Sequence, residues 1–198
     1  TAGLEAACLV RPSADDALQT LLAREPDVLH ICGHSVEDWL PDNSIGAVAG
    51  GERRPLSGVL IGHRIVLTAH EIVCAERLPS LITFGVEYVS AWALTLLDEG
   101  AQVVVAFGGA VADAPAMEFF VEFYEALAKG ESAQVAMQRG RLRAAASRDL
   151  GGLATATLAR LYGDAEYRLT AAHASESDHL DARHKLGVGT RKLGIGTR

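Results

Sequence analysis

Val28-Leu-His-Ile-Cys-Gly-His-Ser35 is the stretch of sequence that decides the fold of this chain. Its first four residues are apolar apart from His30, which is typical of a buried strand, and Gly33-His34 then puts an imidazole just past the strand. A second stretch, Leu81-Ile-Thr-Phe-Gly-Val-Glu87, has the same form. Open α/β sheets carry their chemistry at the carboxyl ends of parallel strands, so the two stretches together predict a site at one edge of such a sheet.

Strand and helix patterns alternate on both sides of these stretches. The predicted strands are residues 6–10, 28–32, 59–61, 65–67, 81–85 and 102–107, and the predicted helices are 13–24, 69–74, 89–97, about 116–128, and 132–146, with a final helix or strand within 153–169. Residues 36–58 have loop composition. The unbroken apolar run at 102–107 predicts a strand buried on both faces, as in a parallel sheet covered by helices.

Two local signals refine this outline. Thr68 and Glu71 have capping-box spacing at the start of the helix at 69–74. In the helix at about 116–128, the predicted sheet-facing side chains are Met117, Phe120, Val121, Tyr124 and Leu127.

Composition narrows the functional class. The chain has 198 residues, 49% of them hydrophobic, which is enough for one domain with a substantial core. Its net charge of -7 argues against nucleic acid as a direct partner, and its apolar runs are shorter than the ~20 residues of a membrane span. The three cysteines, Cys8, Cys32 and Cys74, have no CxxC spacing, so we expect reduced thiols in a cytoplasmic protein. The seven histidines show no ligand spacing, and we expect neither a metal nor a cofactor.

The last part of the chain changes character. Residues 1–170 have the pattern of a folded domain, whereas residues 171–198 are rich in Ser, Asp, His and Gly and predict a flexible tail. The tail ends in a tandem repeat, Lys185-Leu-Gly-Val-Gly-Thr-Arg191 and Lys192-Leu-Gly-Ile-Gly-Thr-Arg198. Two interpretations stay open: a linker to a further domain, or a segment that a peptidase processes after Arg191 and Arg198.

Five motifs in a fixed order give the chain a family resemblance. They are Asp27-Val-Leu-His-Ile-Cys-Gly-His34, Gly85-Val-Glu87, Gly100-Ala-Gln-Val-Val-Val-Ala-Phe107 with Asp113, Phe123-Tyr-Glu-Ala-Leu127 and Leu161-Tyr-Gly-Asp164. Together they resemble the CHAT domain, a caspase-like cysteine peptidase found in bacterial signalling and defence systems. The resemblance covers residues 13–170 and implies a caspase-like α/β sandwich of three layers with a mostly parallel central sheet. It also implies a protein or peptide substrate and a regulatory or sensor domain outside this chain.

The resemblance assigns the catalytic positions. The family's catalytic histidine falls on His34, the backbone N–H of Gly33 lies near the oxyanion, and the nucleophilic cysteine position holds Val86. Valine has no nucleophilic atom, so we expect the chain to be inactive as a His–Cys dyad peptidase. Two hypotheses follow: a peptidase whose nucleophile has been exchanged, and a natural pseudopeptidase that serves as a protein-binding or regulatory module. An unrelated α/β binding domain is disfavoured, since no glycine-rich phosphate loop is present.

Predictions for four further residues follow, and two of them, Asp113 and Glu87, have two possible roles each. Asp113 is either the acidic floor of a pocket that selects a basic residue before the scissile bond or the first residue of a helix, and Glu87 is either a pocket residue or a charge at a helix N-terminus. His30 is expected to hydrogen-bond within the core. Cys32 is expected to be a small buried hydrophobe rather than a nucleophile, because residues two apart on a strand share a face without their functional groups meeting.

Overall fold

The computed structural model describes residues 26–35, 46–49, 52–55, 58–61, 65–74, 77–87 and 89–169. The predicted strand at 6–10, the helix at 13–24, Cys8 and the tail with Arg191 and Arg198 lie outside the described residues. None of the helices in the described ranges has both the length and the apolar character needed to cross a bilayer.

The strands of the described residues are, in chain order, β1 (Val28–Cys32), β2 (His34–Ser35), β3 (Gly46–Ala49), β4 (Glu52–Pro55), β5 (Val59–Ile61), β6 (Ile65–Leu67), β7 (Leu81–Gly85), β8 (Val103–Phe107) and β9 (Ala159–Gly163). The central sheet has the order β1-β7-β8-β9. Its first three strands are parallel and β9 is antiparallel to β8. This confirms the predicted α/β class with a mostly parallel sheet. Because β1, β7 and β8 run the same way, their carboxyl ends lie at one edge of the sheet.

The remaining strands form two small antiparallel units. The predicted hairpin at 59–61 and 65–67 is confirmed as β5–β6, and β2 pairs with β5 on its other side. The loop prediction for residues 36–58 is wrong at β3 and β4, which pair with each other in an antiparallel ladder. Backbone groups make the hydrogen bonds between strands. The sequences Gly-Ala-Val-Ala and Glu-Arg-Arg-Pro therefore form a ladder although their side-chain pattern does not predict strands.

The helices are α1 (Ala69–Val73), α2 (Trp92–Asp98), α3 (Asp113–Ala128), α4 (Ala133–Ala145) and α5 (Leu150–Leu158), with a 3₁₀ turn at Val89–Ala91 before α2. The capping box of α1 is confirmed: the Glu71 N–H donates to the Thr68 hydroxyl at 3.3 Å, and the Thr68 N–H donates to the Glu71 carboxylate at 2.7 Å. The region at 153–169 was predicted to hold a helix or a strand, and it holds the end of α5 followed by β9.

Helix α3 differs from its prediction in start and in orientation. It begins at Asp113, three residues before the start that periodicity predicts but in agreement with the helix-start alternative for Asp113, and Pro115 is tolerated in the first turn because its nitrogen needs no hydrogen-bond acceptor there. Met117 and Val121 are exposed, at 65% and 54% of their surface, although the pattern placed them against the sheet. Phe120 and Leu127 are buried, as predicted, and the other buried side chains are Pro115, Ala116, Phe119, Phe123 and Ala126. Apolar residues cover more than one side of this helix, so periodicity alone could not select the buried face.

Helices cover both faces of the sheet. On one face, Ile82, Phe84 and Val104 pack with side chains of α2 such as Trp92 and Leu96. On the other, Val103, Val105 and Phe107 pack with the aromatic side chains of α3 and with α4. Each large apolar side chain removed from water in this way contributes about 1.5–3 kcal/mol. The result is three layers, as in a caspase-like sandwich.

Candidate active site at the carboxyl edge of the sheet

The positions predicted to form the site follow the carboxyl ends of the three parallel strands. Gly33 links β1 to β2, in which His34 pairs with Leu60. Val86 and Glu87 come directly after β7, and Asp113 opens the helix after β8. The last pair of the β1–β7 ladder is Cys32 with Gly85. His34 is two residues beyond Cys32 and Val86 is one residue beyond Gly85, so both positions lie just past the end of the same ladder.

The side chain of Val86 belongs to the hydrophobic core. It has no exposed surface and shares one apolar cluster with Ile31, Phe84 and Trp92. Strand residues alternate between faces, and Val86 continues the face of Ile82 and Phe84. At this position the chain therefore has a side chain without a nucleophilic atom, directed into the packed interior.

Two carboxylates lie at the same edge. Glu87 is half-buried, and its Oε2 atom is buried without a hydrogen-bond partner among the described residues. An unsatisfied buried carboxylate oxygen is costly, so Glu87 can accept a hydrogen bond from a donor beyond the described residues. Asp113 is exposed at the first position of α3, where the helix dipole favours a negative charge. Its location agrees with the helix-start role and leaves its carboxylate open to solvent.

A network of side chains that the sequence did not predict lies on the α3 side of this edge. Cys32 Sγ lies 2.9 Å from His30 Nε2, and His30 Nδ1 lies 2.7 Å from the Thr83 hydroxyl. The Tyr124 hydroxyl, from α3, lies 2.5 Å from the Thr83 hydroxyl and 3.1 Å from His30 Nδ1. Thr83 also donates to the carbonyl of Leu29 at 3.4 Å. Two strands and one helix thus bring a thiol, an imidazole and two hydroxyls together.

Strand register explains why these groups meet. His30 lies opposite Thr83, and Cys32 lies opposite Gly85, in the parallel ladder of β1 and β7. A Cβ atom at Gly85 would be 3.0 Å from Cys32 Sγ and 3.6 Å from His30 Nε2. The absence of a side chain at Gly85 therefore leaves the space in which the thiol and the imidazole make contact.

The surroundings of His30 keep its imidazole neutral. The ring packs edge to face against Phe120, with centroids 4.6 Å apart, and against Tyr124. Part of the residue is exposed, but both ring nitrogens face protein groups, and burial lowers the pKa of His30 from 6.5 to about 4. Burial likewise raises the pKa of the Tyr124 hydroxyl, which stays protonated.

One arrangement of protons that is consistent with these contacts makes Nε2 of His30 an acceptor. In this arrangement the thiol of Cys32 donates to Nε2 of His30, and Nδ1–H of His30 donates to Thr83. Thr83 donates to the Leu29 carbonyl and accepts from Tyr124 as well. His30 is then a neutral base, and the lone pair on its Nε2 atom accepts the hydrogen bond from the thiol.

The sequence interpretation of these two residues was right for one and wrong for the other. The predicted hydrogen bonding of His30 is confirmed, but Cys32 is exposed rather than buried. Side chains two apart on a strand do meet here, because the imidazole reaches along the strand across most of the ~6.6 Å that separates the two Cα atoms. The sequence feature that could have predicted this contact is His-x-Cys in β1 together with a glycine in β7 at the position that pairs with the cysteine. Among the described residues, no group of three or more His, Cys, Asp or Glu could hold a metal ion.

Comparison with known proteins places the chain by family. The sequence model of the CHAT domain matches residues 4–151. No curated protein matches the chain. The match spans the strands and helices from which the carboxyl edge is built, and it bears out the family resemblance; four of the five motifs lie within the matched residues, and Leu161-Tyr-Gly-Asp164 lies beyond them.

Proposed function

This chain belongs to the CHAT-domain family of caspase-like peptidases, and from that membership we propose that it is a pseudopeptidase, a domain that binds a protein or peptide without cleaving it. The observation that carries the proposal is the burial of Val86. The position expected to supply the nucleophile holds an aliphatic side chain with no exposed surface, packed in the same cluster as Ile31 and Phe84. A position used for packing in this way cannot attack a scissile carbonyl.

We propose that the bound segment presents a basic side chain, Arg or Lys. The support is the pair of carboxylates at the carboxyl edge, above all the buried Oε2 of Glu87, which has no hydrogen-bond partner in the described part of the chain. A guanidinium or ammonium group would satisfy that oxygen with a charge-assisted hydrogen bond. Asp113, exposed at the start of α3, adds negative charge at the same edge.

A second candidate is an endopeptidase that cleaves after Arg or Lys and whose nucleophile has been exchanged for Val86. The observation that favours it is His34, which is exposed just beyond β1. In that case the backbone N–H of Gly33 would stabilise the oxyanion, and the chain would be processed after Arg191 and Arg198 of the tail. Under either candidate we place the domain in a bacterial signalling or defence system, controlled by a regulatory or sensor domain outside this chain.

Fluorescence anisotropy with labelled peptides tests the binding proposal. The peptides differ at one central position, which is Arg, Lys, Gln or Glu, and mass spectrometry reports whether they stay intact. We expect the Arg and Lys peptides to bind about 10-fold or more tightly than the Gln peptide, as one charge-assisted hydrogen bond allows. Glu87→Gln should remove that difference.

The matched control is Glu99→Gln, which makes the same chemical change at an exposed residue between α2 and the amino end of β8, the opposite end of that strand from the carboxyl edge. It should leave the preference for Arg intact. Equal affinity for the Arg and Gln peptides would refute the proposed specificity. Cleavage that disappears on His34→Ala would refute the pseudopeptidase and favour the second candidate.

A further inference from the structure

We propose that Cys32 is a nucleophile for acyl transfer from activated acyl donors such as thioesters and aryl esters, with His30 as its general base. This site uses neither His34 nor Val86, so it goes beyond the proposed binding function. The inference rests on the geometry of four side chains from β1, β7 and α3.

The first observation is the contact between thiol and base. Cys32 Sγ and His30 Nε2 are 2.9 Å apart, within the ~2.6–3.2 Å at which a catalytic base takes a proton from its nucleophile. Cys74 offers a comparison inside the same chain. Its sulfur lies 3.9 Å from Nε2 of His70, one turn earlier on an exposed helix end, which is too long for such a transfer.

The second observation is that His30 is held in orientation by a third group. His30 Nδ1 lies 2.7 Å from the Thr83 hydroxyl, and the Tyr124 hydroxyl contacts both groups, at 2.5 Å from the Thr83 hydroxyl and 3.1 Å from Nδ1. In the tautomer that carries its proton on Nδ1, Nε2 is the acceptor that faces the thiol. A nucleophile, a base and a group that orients the base form the general arrangement of nucleophilic catalysis. Thr83 and Tyr124 are positioning residues in this scheme.

The third observation is access. Cys32 is exposed, and the position opposite it is Gly85, which adds no side chain over the sulfur. A structural cysteine held for packing would lie in one of the two apolar clusters, and Cys32 belongs to neither. The thiol can therefore meet a small donor from solvent.

The chemical step is balanced by groups already present. As Cys32 Sγ attacks the carbonyl carbon, a C–S bond forms, the carbonyl electrons move to oxygen, and the thiol proton passes to His30 Nε2. When the tetrahedral species collapses, the bond to the leaving group breaks and that group takes the proton from His30. Water then attacks the thioester carbonyl while His30 Nε2 takes a proton from the water. When the C–S bond breaks, the acid is released and the sulfur takes that proton from His30, which restores the thiol.

The contact of the thiol with one imidazole base favours donors whose leaving group departs without help from a separate acid. His30 is neutral at neutral pH and ready to accept a proton, but its lowered pKa makes it a weak base. Donors with good leaving groups need the least assistance at the attack step. We therefore assign this site to thioesters and aryl esters rather than to peptide bonds.

The experiment uses p-nitrophenyl acetate with the full chain, and it follows release of p-nitrophenolate together with mass-spectrometric mapping of the acetyl group. We expect acetylation at Cys32, faster than at Cys74 in the same molecule. Cys32→Ser should abolish it, and His30→Gln should slow it by about 100-fold, the lower range for loss of a general base. Cys74→Ser and His70→Gln are matched controls and should leave the rate unchanged.

Alkylation of the unmodified protein with iodoacetamide gives a second measurement that does not depend on any variant folding. Cys32 should again react before Cys74. Equal labelling of the two cysteines, or an acetylation rate at Cys32 that is unchanged in a folded His30→Gln variant, would overturn the proposal. Neither result depends on peptide binding, so failure here is distinct from failure of the proposed function.

Discussion

Cys32 and Gly85 lie opposite each other as the last pair of the parallel β1–β7 ladder, and a Cβ atom at Gly85 would come within 3.0 Å of the Cys32 sulfur. Both residues lie on the face of the sheet that α3 covers, whereas Val86, the next residue along, belongs to the cluster on the opposite face. One step along the chain thus separates a position that leaves room for a thiol from a position that is filled by core packing.

Gly85→Ala should move the thiol without unfolding the protein. The new methyl group would lie 3.0 Å from a sulfur that can rotate away, so we expect a change in unfolding free energy below about 1 kcal/mol. Rotation breaks the contact with His30, and acetylation of Cys32 should fall by about 10-fold or more. The rate of p-nitrophenolate release measures this. Gly108→Ala, whose nearest contact would be an ordinary 3.7 Å, is the control, and equal rates in both variants would contradict the argument.

Stability should depend on pH through His30. Its pKa is lowered from 6.5 to about 4 by burial, so between these values the unfolded chain binds a proton that the folded chain does not. Stability is therefore fully present above about pH 6.5 and decreases as the pH falls towards 4. Urea midpoints at about pH 7 and about pH 5 measure the loss.

His30→Gln should reduce that pH dependence, because the side chain that titrates is gone. His70→Gln, on the exposed helix α1, is the control and should retain the dependence of the unmodified chain. If the urea midpoints of the His30→Gln variant and the unmodified chain fall in parallel with pH, the loss of stability arises from other groups.

The fold was largely predictable from the sequence and the thiol network was not. Strands such as Val103–Phe107 and caps such as Thr68 and Ser132 are signalled by residues close together in the chain. The contact between Thr83 and Tyr124 depends on which face of α3 turns to the sheet, and periodicity placed Met117 and Val121 on that face along with Tyr124. The pairing of Cys32 with Gly85 depends on register, which only the folded sheet provides.

Gly140→Ala should destabilise the contact between α3 and α4. A Cβ atom there would lie 2.8 Å from two ring carbons of Phe119 and 2.9 Å from its backbone oxygen, and a buried backbone has little room to yield. Overpacking of this kind costs about 1–3 kcal/mol, more than the helix propensity that alanine adds. The urea midpoint measured by circular dichroism should fall. Gln138→Ala, on the exposed surface of the same helix, should change it little, and a rise in stability for Gly140→Ala would show that α3 and α4 pack less closely.

Val86→Cys separates the two candidates for the function at His34. Cysteine is a small apolar substitute in a core, so the variant should fold with a stability loss of less than about 1.5 kcal/mol. Because the side chain at this position faces Ile31 and Phe84, we expect the new thiol to resist iodoacetamide and the variant to cleave no Arg or Lys peptide. The test is made in a background in which Cys8 and Cys32 are both changed to Ser, so that the remaining thiols are position 86 and Cys74, the accessible reference.

Turnover by that variant, lost again on His34→Ala, would overturn this expectation. It would mean that residues 86 and 87 can turn the thiol out of the core towards the imidazole, and that the chain is a peptidase with an exchanged nucleophile. A folded variant that binds the Arg peptide but leaves it intact would instead show that the side chain at position 86 has a packing role and no catalytic role. In that case a single sulfur atom would not restore catalysis, because the backbone directs the side chain into the core.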